Sequence, residues 1–211
     1  MSTWRDTMIL VGGPLPPAIA SEFERAWRGA HHGREERSPE PGGPELPGAA
    51  WNYALSGPMV RPHHDLRDAI PTEIAQAERS VALTTPYLIP DRSLWRAMIL
   101  AVERGAKVRV LMPARSDHQI VDVVGHRFAH ALVRRSVELR GYTRGMLHAK
   151  VAMVDGRWSS VSSFNLDLFS SNVNLFSSNV NLRIGVLTSS LELHDALAAQ
   201  METDWTYSRP L

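Results

Sequence analysis

With 211 residues, 44% of them hydrophobic, the chain is long enough for one well-cored domain with or without an appendage. Its 23 basic and 22 acidic residues leave a formal charge of +1, which argues against the strong basic excess of a nucleic-acid binder. Cysteine is absent, which excludes disulfides and thiolate metal sites, and no apolar run approaches the roughly 20 residues of a membrane-spanning helix.

In chain order, Met8–Val11 reads as a strand, and the Gly-Gly-Pro-Leu-Pro-Pro segment after it as a turn. The next element is a helix with Ile19, Phe23 and Trp27 on one face. From His31 to Pro47 the composition is Gly, Pro, Glu and Arg without apolar periodicity, that of a solvated linker. Beyond it, Trp51–Leu55 is a short apolar run. Asp65–Arg79 reads as helix and Ser80–Thr85 as strand. Asp91 is placed to cap a helix that runs to Glu103 and stops at Gly105. Lys107–Met112 is the next strand, Asp117–Arg135 a helix, and Ser136–Arg140 a short strand. Met146–Asp155 reads as a strand with alternating faces, and Leu191–Trp205 as the last helix. The alternation implies an α/β fold, a mixed sheet flanked by helices. Trp95, Phe128, Trp158 and Trp205 lie in apolar patterns and are assigned to the core. His126 and His130 form an i, i+4 pair without an accompanying acidic motif, so no metal is assigned to them.

Leu168–Asn174 reads Leu-Phe-Ser-Ser-Asn-Val-Asn, and Leu175–Asn181 repeats it letter for letter. A seven-residue duplication inverts the in/out alternation of a strand, so it is expected to loop out.

The chemistry concentrates in Met146–Asp167. On a strand, His148 and Lys150 share a face while Ala149, Val151 and Met153 take the other. Asp155-Gly156 is a strong hairpin signal, which would return Ser163 and Asn165 to the His148 end. Such a group suits a phosphodiester. An imidazole can attack phosphorus or protonate a leaving oxygen, a lysine can neutralise non-bridging oxygens, and Ser163 and Asn165 can donate to them, with neither metal nor cofactor. A lone His/Lys pair on a strand is ordinarily a solvated edge. The chain has only two lysines, however, Lys107 and Lys150, so chance placement of His-x-Lys-x-x-x-x-Asp is rare.

His148-x-Lys150-x-x-x-x-Asp155 resembles the HKD signature of the phospholipase D superfamily, and Ser162-Ser163-Phe164-Asn165 resembles the family's Gly-Ser-x-Asn element. Thr85-Pro86-Tyr87-Leu88-Ile89-Pro90-Asp91, Arg104 through Leu111, and Met146–Lys150 are similar to bacterial cardiolipin synthases. The resemblance covers most of residues 51–211. Trp4-Arg5-Asp6-Thr7 through Gly13-Pro14 to Phe23 and Trp27 is similar to the stretch just after the first HKD motif in two-motif members. The expected organisation is thus 1–30 as a remnant of a first half, 31–50 as linker, and 51–211 as a one-motif phospholipase D-like domain.

That resemblance implies a phosphatidyltransferase or phosphodiesterase of the cardiolipin synthase type, working through a phosphohistidine intermediate. The residues it implies are His148, Lys150 and Asp155 as catalytic, Ser163 and Asn165 on the phosphate, and Tyr87, at the end of a strand, as a pocket wall. Its substrate would be a phospholipid, with the chain cytoplasmic or peripheral at the inner face of the membrane. Family members use two motifs, so a second half is expected, either from an upstream segment or from a second copy of the chain across a two-fold axis. Ser162 departs from the family's glycine, and Arg183 stands where cardiolipin synthases usually have a glutamate that orients the histidine; a cation there would lower the proton affinity of the histidine. Two other readings compete: a truncated or degenerate non-catalytic module, favoured by the missing motif and by Arg183, and a dimeric single-motif nuclease, weakened by the near-neutral charge.

Overall fold

The β-branched and aliphatic runs flagged in the sequence do become the centre of a sheet. The structure, a computed structural model, describes residues 3–13, 15–32, 51–56, 66–166 and 183–211. Its elements are β1 (Trp4–Arg5), α1 (Leu15–His32), β2 (Trp51–Ser56), α2 (Leu66–Ala75), β3 (Ser80–Thr84), α3 (Arg92–Glu103), β4 (Lys107–Pro113) and α4 (Gln119–Val133). They continue as β5 (Glu138–Tyr142), β6 (Met146–Leu147), β7 (Val151–Val154), β8 (Trp158–Ser162), β9 (Arg183–Thr188), α5 (Leu191–Thr206) and β10 (Ser208–Pro210). Eight strands form one mixed sheet in the order β10-β5-β4-β3-β7-β8-β9-β2. Pairing is parallel between β3, β4 and β5 and antiparallel elsewhere. The expected α/β class, a mixed sheet with helices on it, is what the chain adopts.

Strand alternation sorts the core into two layers. Val81, Leu83, Val108, Val110, Ala152 and Val154 pack with α2, α3 and α4, whose Leu66, Ile70, Ile74, Met98 and Leu132 are almost fully buried. Each such Leu or Ile contributes about 1.5–3 kcal/mol. Leu111, Val151, Met153 and Val161 pack instead with Leu197 and Met201 of α5. The capping expectation at Asp91 is met: its carboxylate accepts from the Leu94 N–H at 2.8 Å and starts α3.

Several boundaries differ from expectation, each for a nameable reason. Helix α2 stops at Ala75, not Arg79, because the N–H groups of Glu78, Arg79 and Ser80 are taken by the Asp155 carboxylate. Helix α4 starts at Gln119, not Asp117, since the backbone at His118 is extended, with φ −123° and ψ 97°. Met8–Val11, expected as a strand, turns Ile9 and Val11 inward but is not a strand and pairs with none among the described residues; the ladder forms at Trp4–Arg5. On α1 the buried stripe is Leu15, Ala18, Ile19 and Glu22, and Phe23 and Trp27 stay exposed, 62% and 58%, stacked on each other. An i, i+4, i+8 row drifts about 40° per step from the true helical face, so the outer members leave the contact. Strand β10 was not anticipated. The tandem repeat of residues 168–181 and most of the expected linker lie outside the described residues.

Candidate active site

Met146–Leu147 pairs in parallel with Trp4–Arg5, and the ladder is extended by the His148 N–H donating to the Arg5 carbonyl at 2.8 Å. The expected single strand 146–155 is therefore split: β6 faces the N-terminal segment, β7 the main sheet. Ala149, between them, is buried, which turns His148 and Lys150 to the same, half-buried side. The pair expected on one face is found there.

The N-terminal segment is held firmly. The Arg5 guanidinium pairs with the buried Asp204 carboxylate at 2.7 Å, and the Met146 N–H donates to the Thr3 carbonyl. Gly145 makes that approach feasible: with φ +150°, a Cβ there would lie 2.1 Å from the Thr3 carbonyl oxygen. The consequence is delivery of two side chains to His148. The Asp6 carboxylate lies 2.9 Å from His148 Nδ1, and the Trp4 ring meets the imidazole edge-on with centroids 4.8 Å apart. A carboxylate only accepts, so Nδ1 carries a proton, and in the neutral ring the lone pair is on Nε2. Burial pushes the Asp6 carboxyl up, but the His148 hydrogen bond, the Thr7 N–H and the charges of Lys150 and His148 outweigh it and hold the group below its ordinary value. Lys150 Nζ sits 3.1 Å from both ring nitrogens and 2.5 Å from the His148 carbonyl. An ammonium thus lies against the imidazole.

Asp6 escaped the sequence reading. Its signal was weak: a two-residue strand without periodicity, pairing with a segment 142 positions away. Only the position of Trp-Arg-Asp in the segment that resembles the end of a first half could have pointed to it.

Asp155, expected among the catalytic residues, is placed away from His148 and Lys150. It lies at the far end of β7, about 16 Å of strand beyond Lys150 at roughly 3.3 Å per residue. Its buried carboxylate accepts from the N–H groups of Glu78, Arg79 and Ser80 at 3.0, 2.8 and 2.9 Å. Burial raises its proton affinity, but those donors and Arg157 prevail and the group is held below its ordinary range. With φ +55° at Asp155 and +71° at Gly156, the hairpin is of the type that Asp-Gly encodes. Asp155 pins the end of α2 to this turn.

The hairpin does return β8 alongside β7, the Ser162 N–H donating to the Lys150 carbonyl. Ser163 is exposed, yet its hydroxyl accepts from the Ile184 N–H at 3.0 Å and reaches the Ile184 carbonyl at 3.3 Å, so it is engaged with β9. Phe164 and Leu166 are buried, and Asn165 between them points the other way, its Oδ1 buried with no partner. Tyr87 hydrogen-bonds Asp117 at 2.7 Å and contacts neither His148 nor Lys150 in any described interaction. Ser162 is accommodated because its partner across the ladder is Gly185, where a Cβ would come within 2.9 Å of the Ser162 Cβ. Arg183 shows no contact with His148 among the described residues; its Nη1 is buried without a partner. The His148 carboxylate comes from Asp6, so the position of Arg183 does not deprive this histidine of an acid. His126 Nδ1 lies 2.7 Å from the Asp122 carbonyl of its own helix.

The sequence matches the family described as "Cardiolipin synthase, PLD-like domain" over residues 70–205. The chain belongs to this phospholipase D-like family. It is similar to cardiolipin synthase A of Pseudomonas putida and to that of Pseudomonas entomophila, each 33% identical over all of this chain and 42% of the relative. The chain thus spans less than half the length of these relatives. Among solved structures, the fold is shared with a phospholipase D family member, Nuc, from Salmonella typhimurium (TM-score 0.62, 17% identity, 77% of this chain and 98% of that one). It is also shared with phosphatidylserine synthase from Haemophilus influenzae (TM-score 0.59, 16% identity, 96% of this chain and 48% of that one). No helix among the described residues is long and apolar enough to cross a membrane.

Proposed function

We propose that this chain contributes one half of a phosphatidyl-transfer centre of the cardiolipin synthase type, completed by a second HKD half. The observation that supports it most is the Asp6–His148–Lys150 cluster, a histidine with a fixed tautomer and a cation beside it. The length of the curated relatives, more than twice that of this chain, supports the need for a second half.

In the completed site the histidine of the other half attacks phosphorus of a phospholipid and forms the P–N bond. The bond from phosphorus to the headgroup oxygen breaks, and that oxygen takes a proton from Nε2 of His148 in its imidazolium form, stabilised by the Asp6 carboxylate. His148, now neutral, takes the proton of an incoming alcohol whose oxygen displaces the phosphohistidine, restoring both histidines. Lys150 neutralises the non-bridging oxygens throughout, and Asn165, whose amide shares that end of β8, is the donor assigned to them. Ser163 contributes by fixing the 163–166 loop to β9. Tyr87 is assigned to a wall of the substrate pocket, and contact with the membrane is peripheral.

Thin-layer analysis of labelled phosphatidylglycerol tests this. The isolated chain, shown to be monomeric, is expected to give no product, and co-expression with an HKD-bearing N-terminal half of a relative is expected to restore transfer. Transfer absent in that assembled pair, despite demonstrated complex formation, would favour the non-catalytic module.

A further inference from the structure

Beyond the β6 side of Trp4, a cavity of roughly 450 Å³ opens where the chain leaves β4 and β5, lined in part by Trp4, Arg115, Asp117, Thr143, Met146 and Arg209. This volume is within the range of small-molecule sites and too large for a bare phosphate alone. Its polar equipment is mostly engaged. The Thr143 hydroxyl donates to the Tyr207 carbonyl at 2.7 Å, that of Ser116 lies against the His118 backbone, and the Asp117 carboxylate accepts from Tyr87 and faces His118 at 3.7 Å. Arg115 and Arg209 differ: neither guanidinium has a hydrogen-bond or ion-pair partner among the described residues. Two guanidinium forks against one engaged carboxylate make a positive cavity, and such forks match phosphate oxygens two at a time. Trp4, 57% exposed, and the buried Met146 supply apolar wall. The same Trp4 ring touches the His148 imidazole.

We propose that this cavity binds the phosphate of a glycerophospholipid headgroup, with Arg115 and Arg209 on the phosphate and the glycerol unit along Trp4. That it would serve to deliver the accepting headgroup to His148 rests on the function proposed above; the binding itself does not. The cavity and the histidine share Trp4 as a common wall, so a headgroup hydroxyl placed against that ring lies next to the group that takes its proton.

Binding of dihexanoyl phosphatidylglycerol, kept monomeric, to the full chain tests the site without turnover. Isothermal titration at low salt is expected to show saturable binding, weakened about tenfold or more in the Arg115→Gln/Arg209→Gln double variant. Raising salt should weaken it as well. Arg135→Gln, on the exposed end beyond α4, should bind like the unaltered chain, and circular dichroism should show all variants equally folded. Binding unchanged in the double variant, or equal binding of dihexanoylglycerol, which lacks the phosphate, would overturn the proposal. Inorganic phosphate binding as tightly as the lipid would also overturn it, assigning the arginines to free phosphate. Intact headgroup binding in an assembled complex that transfers nothing would sink the function proposed above and leave this site standing.

Discussion

His148 illustrates how one contact decides what a titratable group can do. Its ring has two nitrogens, and the Asp6 carboxylate at 2.9 Å selects the tautomer protonated on Nδ1. Asp6→Asn keeps the shape but removes the charge that stabilises an imidazolium, which a charged hydrogen bond makes worth about 1.5–3 kcal/mol. In the completed enzyme, transfer should fall about tenfold to a hundredfold. In the chain alone, nitrogen-15 NMR of the imidazole should show the Nδ1–H tautomer giving way to a mixture; an unchanged tautomer would refute the role given to Asp6. Because the Asp6 carboxyl is held below its ordinary 3.8, the charged acceptor for Nδ1–H is in place above that pH and is lost as pH falls through the depressed value. Asp155, the carboxylate of the signature itself, is engaged by backbone N–H groups and not by the imidazole. Asp155→Ala would strand three backbone N–H groups, and urea unfolding should show a loss of about 3 kcal/mol, with His148 and Asp6 still in contact. The stability that Asp155 supplies is present above 3.8, its ordinary value, and declines as pH falls toward the lowered one.

Among the elements, β1 and β6 are the shortest and matter most to the site. Each has two residues, and their approach depends on Gly145, where an added Cβ would strike the Thr3 backbone. Gly145→Ala should therefore release residues 3–7 and withdraw Asp6 and Trp4 from His148, while the eight-stranded sheet stays formed. Limited proteolysis should cut before Gly13 several times faster than in the unaltered chain; equal protection would show that the segment is held by something else. Legibility in the sequence divides along the same line. Strands β3 and β4, the Asp91 cap, the last helix and the Asp155-Gly156 turn were readable because local periodicity, capping and turn chemistry specify them. The β1–β6 ladder, strand β10 and the early end of α2 were not, because each is set by a partner more than 60 residues distant. The site divided likewise: His148 and Lys150 came from spacing within one strand, whereas Asp6 came from a long-range pairing that no local pattern encodes.

At the scale of the whole molecule, His148 and Lys150 lie half-buried just before β7, against the N-terminal segment that carries Trp4 and Asp6. His148 in a completed site has two candidate tasks, nucleophile or general acid, and the leaving group separates them. By resemblance to two-motif relatives, the histidine of the C-terminal motif is the acid. A proton donor matters most when the departing alkoxide is strongly basic and little when it is an activated aryl oxide. His148→Ala should therefore slow phosphohistidine formation by a factor that shrinks as the pKa of the leaving alcohol falls, toward near-normal rates for a nitrophenyl ester. Lys150→Ala should slow all members of the series alike, since the charge on the non-bridging oxygens is there whatever departs. Single-turnover rates on phosphatidyl esters of graded leaving-group pKa read both slopes at once. Equal loss for every ester in His148→Ala would instead identify His148 as the attacking group, and the Asp6 contact would then serve to present the Nε2 lone pair to phosphorus.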